Sequence, residues 1–321
     1  MPTVPTILSI GKATQDVFLE SDKVFTPHED KGVMFERLPL GQKLDLDNVT
    51  FATGGNATNA AVTFGRQGLN SKYLWYIGTD VASEVILQEL DKDSVDTSPV
   101  IQDETFRASY SVILLASNGE RTILNYHGSA FPTHRQLDVS AIADSDWVYL
   151  SSLGNIDLLE QIVSEAKKHG VKVMLNPAGV ELAEPEKLRA VLHDVEVLIA
   201  NKEEAQQIVE GKSLEELVRH GHHYSPVVIV SDGPHGAVAT DGKTIVTAGM
   251  YENVPVIDRT GGGDAFGSGF LSAWAQGKSL KDSMIFASAN STSVVAEIGA
   301  KAGILHVGTK LHDMPIDEEA F

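Results

Sequence analysis

The chain has 321 residues, of which 42% are apolar and 21% charged, as in a soluble globular protein rather than a disordered one. Its 25 Lys and Arg residues face 44 Asp and Glu residues, and the net charge of −19 disfavours nucleic acid and anionic membranes as partners. With no Cys, no basic N-terminal cluster and no apolar run of the roughly 20 residues that span a membrane, we expect a cytoplasmic protein without disulfides, thiolate catalysis or Cys-based zinc sites.

The N-terminal part predicts a buried strand, a helix and a segment that leaves the core. Residues 6–10 form a short apolar run, which is typical of a strand buried on both faces. Scattered charges, two prolines and weak alternation from about 17 to 53 indicate an excursion. Small residues at helical spacing predict a helix over 56–68. A strand over 73–77 and a helix over 82–90 follow.

A β-hairpin is predicted next. Residues 105–115 and 121–126 are its strands, and 117–120 supply the turn. We expect this hairpin to pair with the earlier excursion. The segments at about 17–53 and 104–127 would then form a small β-sheet lid.

The remainder of the chain alternates strands and helices. Strands are predicted at 147–150, 171–175, 197–199 and 227–230, and helices near 158–169, 187–192, 202–209, 214–220, 264–276 and 280–298. Such alternation with right-handed crossovers builds a mostly parallel sheet covered by helices on both faces. We therefore expect a single α/β domain over 1–321, with the lid as its appendage. Residues 313–321 carry no pattern and are expected to be loose.

Three consecutive glycines, Gly261, Gly262 and Gly263, precede an Ala- and Gly-rich helix that starts at Asp264. Glycines let backbone N–H groups approach a phosphate, and the first helical turn adds unpaired donors and a positive dipole. The pattern predicts an anion hole for a transferred phosphoryl group, with Asp264 as the base for an attacking hydroxyl. The alternative is a flexible turn in which Asp264 only caps the helix.

The segment Asp258-Arg-Thr-Gly-Gly-Gly-Asp264 resembles the second signature of the ribokinase-like carbohydrate kinases, the PfkB family. It departs at Gly262, where the family usually has Ala. The first signature of the family, two glycines before Asn and a small-residue helix, resembles Gly54-Gly-Asn-Ala-Thr-Asn. The resemblance spans roughly residues 7–302. It implies a ribokinase-like three-layer α/β/α sandwich, ATP and Mg²⁺ as cosubstrate and cofactor, and Asp264 as base beside the anion hole.

The resemblance also implies the contacts of the acceptor substrate. Its hydroxyls are expected to bind Asp16. The rest of the acceptor site is expected to be Gly54, Gly55, Asn56 and Asn59.

Nucleotide and ion contacts follow from the same resemblance. Asn201 and Glu204 are expected to position Mg²⁺ and phosphate, largely through water, although an acidic first helical turn explains the same pattern. Asp258 and Thr260, with the region of Gly299, lie where many members hold a monovalent cation such as K⁺. The other expected nucleotide contacts are Ser231, Gly233, Gly236 and, beside the adenine, Asn290.

These assignments predict phosphorylation of a hydroxymethyl group on a small sugar, such as ribose, fructose or a keto-sugar acid. A nucleoside kinase is the alternative, because the family includes both and the lid segments carry several aromatic residues. A hypothesis from another class is a non-catalytic sugar or nucleotide sensor, since a fold alone never determines function. A homodimer through the lid is also expected from the resemblance.

Overall fold

A computed structural model describes residues 3–116, 120–129, 137–251 and 254–321. The predicted turn at 117–120 therefore lies largely outside the described residues. The strands are β1 Thr6–Ile10, β2 Thr14–Glu20, β3 His28–Asp30, β4 Val33–Phe35, β5 Asn48–Gly54, β6 Asn70–Leu74, β7 Tyr76–Ile77, β8 Val95–Asp96, β9 Ile101–Gln102, β10 Ser109–Leu115, β11 Arg121–Tyr126, β12 Trp147–Ser151, β13 Lys172–Asn176, β14 Val197–Asn201, β15 Val227–Ser231, β16 Ala237–Thr240, β17 Thr244–Ala248 and β18 Ile316–Ala320. The helices are α1 Asn56–Arg66, α2 Val81–Lys92, α3 Ile156–His169, α4 Pro185–Leu192, α5 Lys202–Ile208, α6 Leu214–Gly221, α7 Gly262–Trp274 and α8 Leu280–Val295.

A ten-stranded sheet in the order β18-β17-β16-β15-β14-β13-β12-β1-β6-β8 forms the centre of the molecule. The strands from β15 to β8 pair in parallel, and the last three, β16 to β18, pair antiparallel. Strands such as β12 and β15 are apolar along nearly their whole length, because helices cover both faces of the sheet. The mostly parallel α/β sheet predicted from the sequence is confirmed.

Helices cover the two faces with separate apolar clusters. One cluster joins the sheet mainly to α2, α3, α4, α5 and α6, the other joins it mainly to α7 and α8, and α1 contributes to both. In the second layer, α7 and α8 pack closely because Gly269 leaves room for Ala287 and Asn290 of α8. The arrangement is a three-layer α/β/α sandwich.

A separate four-stranded sheet, in the order β11-β10-β2-β5, stands beside the main one. It draws strands from both segments expected to form the lid. One face, here called the inner face, carries Asp16, Phe18 and Ala52 at alternate positions. The Phe18 ring and the Ala52 methyl group lie against Gly299 of the main body. The inner face is therefore the one directed at the main body.

The prediction that 313–321 is loose is wrong. Residues Ile316–Ala320 form β18, which pairs antiparallel with β17 at the edge of the main sheet. Its sequence, Ile-Asp-Glu-Glu-Ala, lacks alternating apolar residues, so no pattern predicts a strand. Backbone hydrogen bonds to β17 hold the strand in place, and the ring of Phe321 lies 5.1 Å from that of His222. Charged side chains on an edge strand also discourage pairing with another chain.

Two smaller boundaries differ from those expected. The predicted strand at 73–77 divides into β6 and β7, and α7 begins two residues before Asp264, at Gly262. The helix can begin there because Gly261 takes up a left-handed conformation with φ 77° as its N-cap. Within the described ranges, the helices are all too short or too polar to cross a membrane.

Candidate active site

Asp264 and Asn59 meet where two helices of the same layer begin. Asn59 lies in the first turns of α1 and donates from Nδ2 to Asp264 Oδ2 at 2.9 Å. One turn further along, Ser268 Oγ donates to Thr63 Oγ1 at 2.8 Å. The first bond joins the two signature segments, 205 residues apart in the chain, and the second joins the helices that follow them. The predicted base and a predicted substrate contact thus come together.

The carboxyl group of Asp264 has an unusual affinity for protons. Burial raises its pKa to about 6, the hydrogen bond from Asn59 opposes this rise, and the negative charge of Glu204 adds to it. A carboxylate with a pKa near neutrality can accept a proton and still be ionised in most molecules at pH 7. This is the balance that a general base needs.

The carbonyl oxygen of Asn59 has no partner. Asn59 is almost fully buried, and its Oδ1 accepts no hydrogen bond from the described part of the chain. A buried acceptor without a donor is costly unless a ligand supplies one. The atom next to the candidate base is therefore able to accept a hydrogen bond from a bound hydroxyl.

A Cβ atom would meet different surroundings at each glycine of the triplet. A Cβ on Gly261 would overlap Ala300, and one on Gly262 would lie 3.0 Å from Val295 Cγ1. A Cβ on Gly263 would meet nothing within 4 Å. The first two glycines permit packing, and Gly263 leaves open space in front of the first-turn N–H groups of α7, which have no acceptor within the helix. Val295 explains why Gly stands at position 262, where the family usually has Ala.

The glycine pair before α1 makes room for a carboxylate. A Cβ on Gly54 would overlap the Asp16 carboxyl group, and Gly55, with φ 99°, touches the backbone of Lys12 and Ala13. Burial raises the pKa of Asp16, while the neighbouring Ser111 side chain and the charge of Lys301 oppose the rise. The carboxylate expected to bind the acceptor, that of Asp16, is thus buried beside the first signature.

Asn56 has its amide group tied to the end of β12. Its Nδ2 donates to Ser151 Oγ at 3.0 Å and to Ser152 Oγ at 3.1 Å. Ser152 has a positive φ of 49°, which is rare for a residue with a side chain and is often found at functional sites. Asn56 therefore stands at the carboxyl end of the parallel strands, where ligands of such sheets bind.

Two polar residues of the inner face were not predicted. Ser111 in β10 pairs in register with Asp16 on one side and Asn125 on the other, and its Oγ donates to Asn125 Oδ1 at 2.9 Å. The row Asp16, Ser111, Asn125 crosses the inner face. In the sequence, this row is indicated only by Ser111, which interrupts the apolar pattern of β10. The strand register, which brings the three side chains together, cannot be read from that pattern.

A cleft beside α7 brings together three of the expected nucleotide contacts, Ser231, Gly233 and Gly236, and we call it the α7 cleft. Polar and glycine residues line one part of it, and apolar side chains line the other. The glycine and polar residues are Ser231, Gly233, Gly236, Gly249, Arg259, Gly262, Gly263, Ser288, Ser291 and Thr292, and the apolar ones include Met250, Val256, Phe266 and Val295. Apolar walls with a few polar groups suit a flat heterocycle joined to phosphates.

Asn290 does not reach this cleft, which corrects the contact expected for it. The residue is fully buried. Its Nδ2 donates to the Ala265 carbonyl at 2.8 Å, and its Oδ1 accepts from Leu305 N at 3.0 Å. Both polar groups therefore join α8 to its neighbours, and Ser291 of the same helix faces the cleft instead.

Asn201 and Glu204 form a capping box at the start of α5. Asn201 Oδ1 accepts from Glu204 N, and Glu204 Oε2 accepts from Asn201 N, each at 2.9 Å. The pair therefore has a structural role at the first turn of α5. The charge of Glu204 also raises the pKa of Asp264, and burial raises the pKa of Glu204 itself. Glu204 is thus a half-buried carboxylate near the candidate base, and it could hold a divalent cation through water.

The carboxyl group of Asp258 is fully engaged by protein donors. Its Oδ1 accepts from Thr260 N at 3.0 Å and from Thr260 Oγ1 at 2.7 Å, and it forms an ion pair with Arg121 Nη1 at 3.3 Å. Its Oδ2 accepts from Gly299 N at 3.1 Å. Because a guanidinium already provides positive charge here, the donor set does not fit the monovalent cation expected at Asp258 and Thr260.

Comparisons with known proteins agree with this geometry. The family described as pfkB family carbohydrate kinase matches residues 9–306. The ribokinase of Haemophilus influenzae is 27% identical over 279 residues, which cover 82% of this chain and 88% of that protein.

Solved structures share the fold. Arabidopsis thaliana ribokinase complexed with ribose and ATP has a TM-score of 0.78 at 22% identity and covers 95% of this chain and 96% of its own. The nucleoside kinase of Methanocaldococcus jannaschii has a TM-score of 0.71 at 19% identity, with 94% and 95% covered. Both the signature geometry and these matches lead to one conclusion: the chain belongs to the pfkB family and is an ATP-dependent carbohydrate kinase.

Proposed function

We propose that this kinase transfers the γ-phosphoryl group of ATP to a hydroxymethyl group of a small sugar. The observation that carries the proposal is the pair formed by Asp264 and Asn59. It places a carboxylate of raised pKa beside a buried amide oxygen without a donor. A substrate hydroxyl in this position would donate to one or both groups, and so be held for attack.

The reaction would use few chemical groups of the protein. Asp264 would accept the proton of the attacking hydroxyl, and the first-turn N–H groups of α7 would stabilise charge on the phosphoryl oxygens. Glu204, held by the Asn201 cap, would hold Mg²⁺ through water, and the ion would neutralise charge on the ATP phosphates. The small sheet would close over the acceptor as a lid and exclude water.

The character of the inner face supports a sugar over a nucleoside. Asp16, Ser111 and Asn125 offer a row of hydrogen-bonding groups, which suits several hydroxyls. Phe18 of the inner face packs on Gly299, and Phe51 is 70% exposed on the opposite face, so neither ring is free to receive a base beside Asp16. A nucleoside would need an apolar slot for its base.

A coupled ADP-release screen over sugars, sugar acids and nucleosides, with Mg²⁺ present, tests the proposal. We expect turnover with at least one small sugar or sugar acid, and less with every nucleoside. Preference for a nucleoside would assign the chain to the alternative class. Sugar or nucleotide binding by calorimetry, with no turnover of any acceptor, would indicate a sensor.

We also propose that two copies pair through the outer face of the small sheet. Phe51, Leu124 and Tyr126 of that face are 70%, 56% and 56% exposed, which is unusual for large apolar side chains in strands. Gel filtration with light scattering measures the mass. Replacement of both Phe51 and Leu124 by Ser is expected to give a monomer, and a wild-type monomer would contradict the proposal.

A further inference from the structure

Arg121 is the first residue of β11, and its side chain crosses from the small sheet to the catalytic segment. Its Nη1 lies 3.3 Å from Asp258 Oδ1. The Arg121 side chain is 29% exposed and that of Asp258 only 1%. The Asp258 carboxylate is therefore buried, and the guanidinium that balances its charge belongs to a strand of the small sheet.

The surroundings of Asp258 leave little capacity for an ion. Oδ1 accepts three hydrogen bonds or ion-pair contacts, and Oδ2 accepts the Gly299 N–H. The nearby carbonyl oxygen of Val295 is also engaged, because it accepts from Ile257 N at 2.8 Å and from Asp258 N at 3.2 Å. A monovalent cation needs several oxygen atoms with free lone pairs. Asp258 Oδ1 and the Val295 carbonyl oxygen already have two or more partners each, so among these three oxygens only Asp258 Oδ2 keeps a free lone pair.

Charge gives a second argument. One carboxylate balances one cation, and a K⁺ ion brought to the same carboxylate would lie within a few ångströms of the Arg121 guanidinium. Two like charges at that separation repel strongly in a partly buried site. Asp16 is a second carboxylate whose charge acts here, since Asp258 raises the pKa of Asp16, and the charge of Lys301 opposes this rise.

We propose that the guanidinium of Arg121 takes the place of a monovalent cation at Asp258, so that this kinase needs no K⁺. Asp258, Thr260 and Gly299 brace the start of the anion-hole segment through hydrogen bonds to one carboxylate. The positive charge that holds this carboxylate in place belongs to the chain itself. This charge is carried by Arg121 of β11. The segment around Asp258 is therefore fully stabilised only when the small sheet is in contact with the main body.

The first test needs no substrate and does not depend on the proposed function. The melting temperature is measured in about 100 mM KCl and in tetramethylammonium chloride of equal ionic strength. For the wild type we expect a difference below about 1 °C. Arg121→Met frees the carboxylate, so its melting temperature should fall in tetramethylammonium and rise by about 2 °C or more with KCl.

Two variants control this test. Arg121→Lys keeps the positive charge and should respond to KCl no more than the wild type. Arg219→Met removes another partly exposed guanidinium, which pairs with Glu215 at 2.9 Å, and should gain no response. A K⁺-specific rise of about 2 °C or more in the wild type would overturn the proposal. The proposal would also be overturned if Arg121→Met, shown by circular dichroism to be folded, had a melting temperature that does not change with KCl.

The second test uses the acceptor found by the ADP-release screen and rests on the proposed function. Wild-type turnover should change less than about twofold between the two salts, whereas Arg121→Met should lose about tenfold in tetramethylammonium and regain part of it in KCl. Stimulation of the wild type by more than about tenfold would overturn the replacement of K⁺. If no acceptor is turned over, the proposed function fails, but the melting temperatures still decide this inference.

Discussion

The charge of Asp264 is set by its burial and by two neighbouring residues, Asn59 and Glu204. Burial and Glu204 favour its protonated form, and the Asn59 amide favours the carboxylate. The result is a pKa of about 6, above the usual 3.8, at the atom closest to the proposed acceptor hydroxyl. Chemistry at this residue therefore has two measurable consequences.

Asp264→Asn should lower turnover by about 10²–10⁴-fold, which is the usual contribution of a general base. The amide has nearly the same shape but cannot accept the proton. Steady-state kinetics with the acceptor from the screen gives the value. The matched control, Asp157→Asn, changes an 83% exposed side chain and should leave turnover unaltered. Near-normal activity in Asp264→Asn would remove Asp264 from the role of base.

The pH dependence should reveal the same group. A base must be unprotonated, so wild-type kcat/KM is expected to fall about tenfold per pH unit below about 6 and to level off above it. The residual activity of Asp264→Asn should lack this acidic limb, and this separates the enzyme's group from protonation of ATP. A wild-type profile that is flat from pH 5 to about 8, or an unchanged limb in the variant, would contradict the assignment.

At the scale of elements, α7 and α8 meet at the glycine triplet. Val295 at the end of α8 occupies the space that an alanine methyl group would need at position 262. The pair Gly262 and Val295 keeps the anion-hole segment close to α8 without a void. The local departure from the family signature therefore has a partner 33 residues further along the chain.

A double-mutant cycle tests this pairing. Gly262→Ala should lower the free energy of unfolding by about 1 kcal/mol through overpacking. Val295→Ala makes room for the new methyl group, so the two changes together should be less costly than their sum, by about 1 kcal/mol. Urea unfolding gives the four values. Gly263→Ala is the control, since its Cβ meets nothing within 4 Å and Ala favours a helix. Additive effects at positions 262 and 295 would show that the contact is absent.

At the scale of the whole molecule, Lys301 joins distant parts of the chain. The residue is buried, and its Nζ donates to Thr53 Oγ1 at 2.6 Å, which in turn donates to Glu89 Oε2 at 2.6 Å. Arg66 Nη1 donates to the carbonyl oxygen of Lys301 at 2.7 Å. The segment after α8 is thus tied to β5, α1 and α2. No motif indicated this lysine.

Burial lowers the pKa of Lys301 from 10.5 to about 8, although carboxylates led by Glu89 oppose the change. Between these two values the unfolded chain binds more protons than the folded one, so stability gains from rising pH and carries the full penalty below about 8. Relative to Lys301→Met, the wild type should gain about 1 kcal/mol per pH unit between pH 8 and 10.

Urea unfolding of both proteins at pH 7.5, 8.5 and about 9.5 measures this difference. Lys310→Met, which alters an exposed side chain, is the control and should follow the wild type at each pH. A difference between the wild type and Lys301→Met that stays constant with pH would mean that Lys301 remains charged in the folded protein over this range.

Much of this protein follows from short stretches of sequence. The apolar runs of β1, β12 and β15 and the periodic helices between them require a covered parallel sheet, because each element must bury its own apolar side chains. The glycine triplet before α7 likewise creates local donors and open space. These features depend on neighbours within one or two turns of chain, and patterns in the sequence express them directly.

Other features exist only where separate segments meet. The row of Asp16, Ser111 and Asn125 depends on strand register, the burial of Asn290 depends on how α7 and α8 pack, and β18 depends on an edge that β17 offers. Their sequences carry no periodicity to reveal them.

The segment Asp258-Arg-Thr-Gly-Gly-Gly-Asp264 combines both kinds of information. The sequence by itself determined a glycine-rich helix start followed by Asp264, from which an anion hole and a base are predicted, since glycine and helix geometry are local properties. The tertiary structure alone decided that Arg121 balances Asp258 and that Asn59 meets Asp264. Pairing of charges and hydrogen-bonding groups from remote segments depends on distances in space, and those distances are set by the packing of the whole molecule.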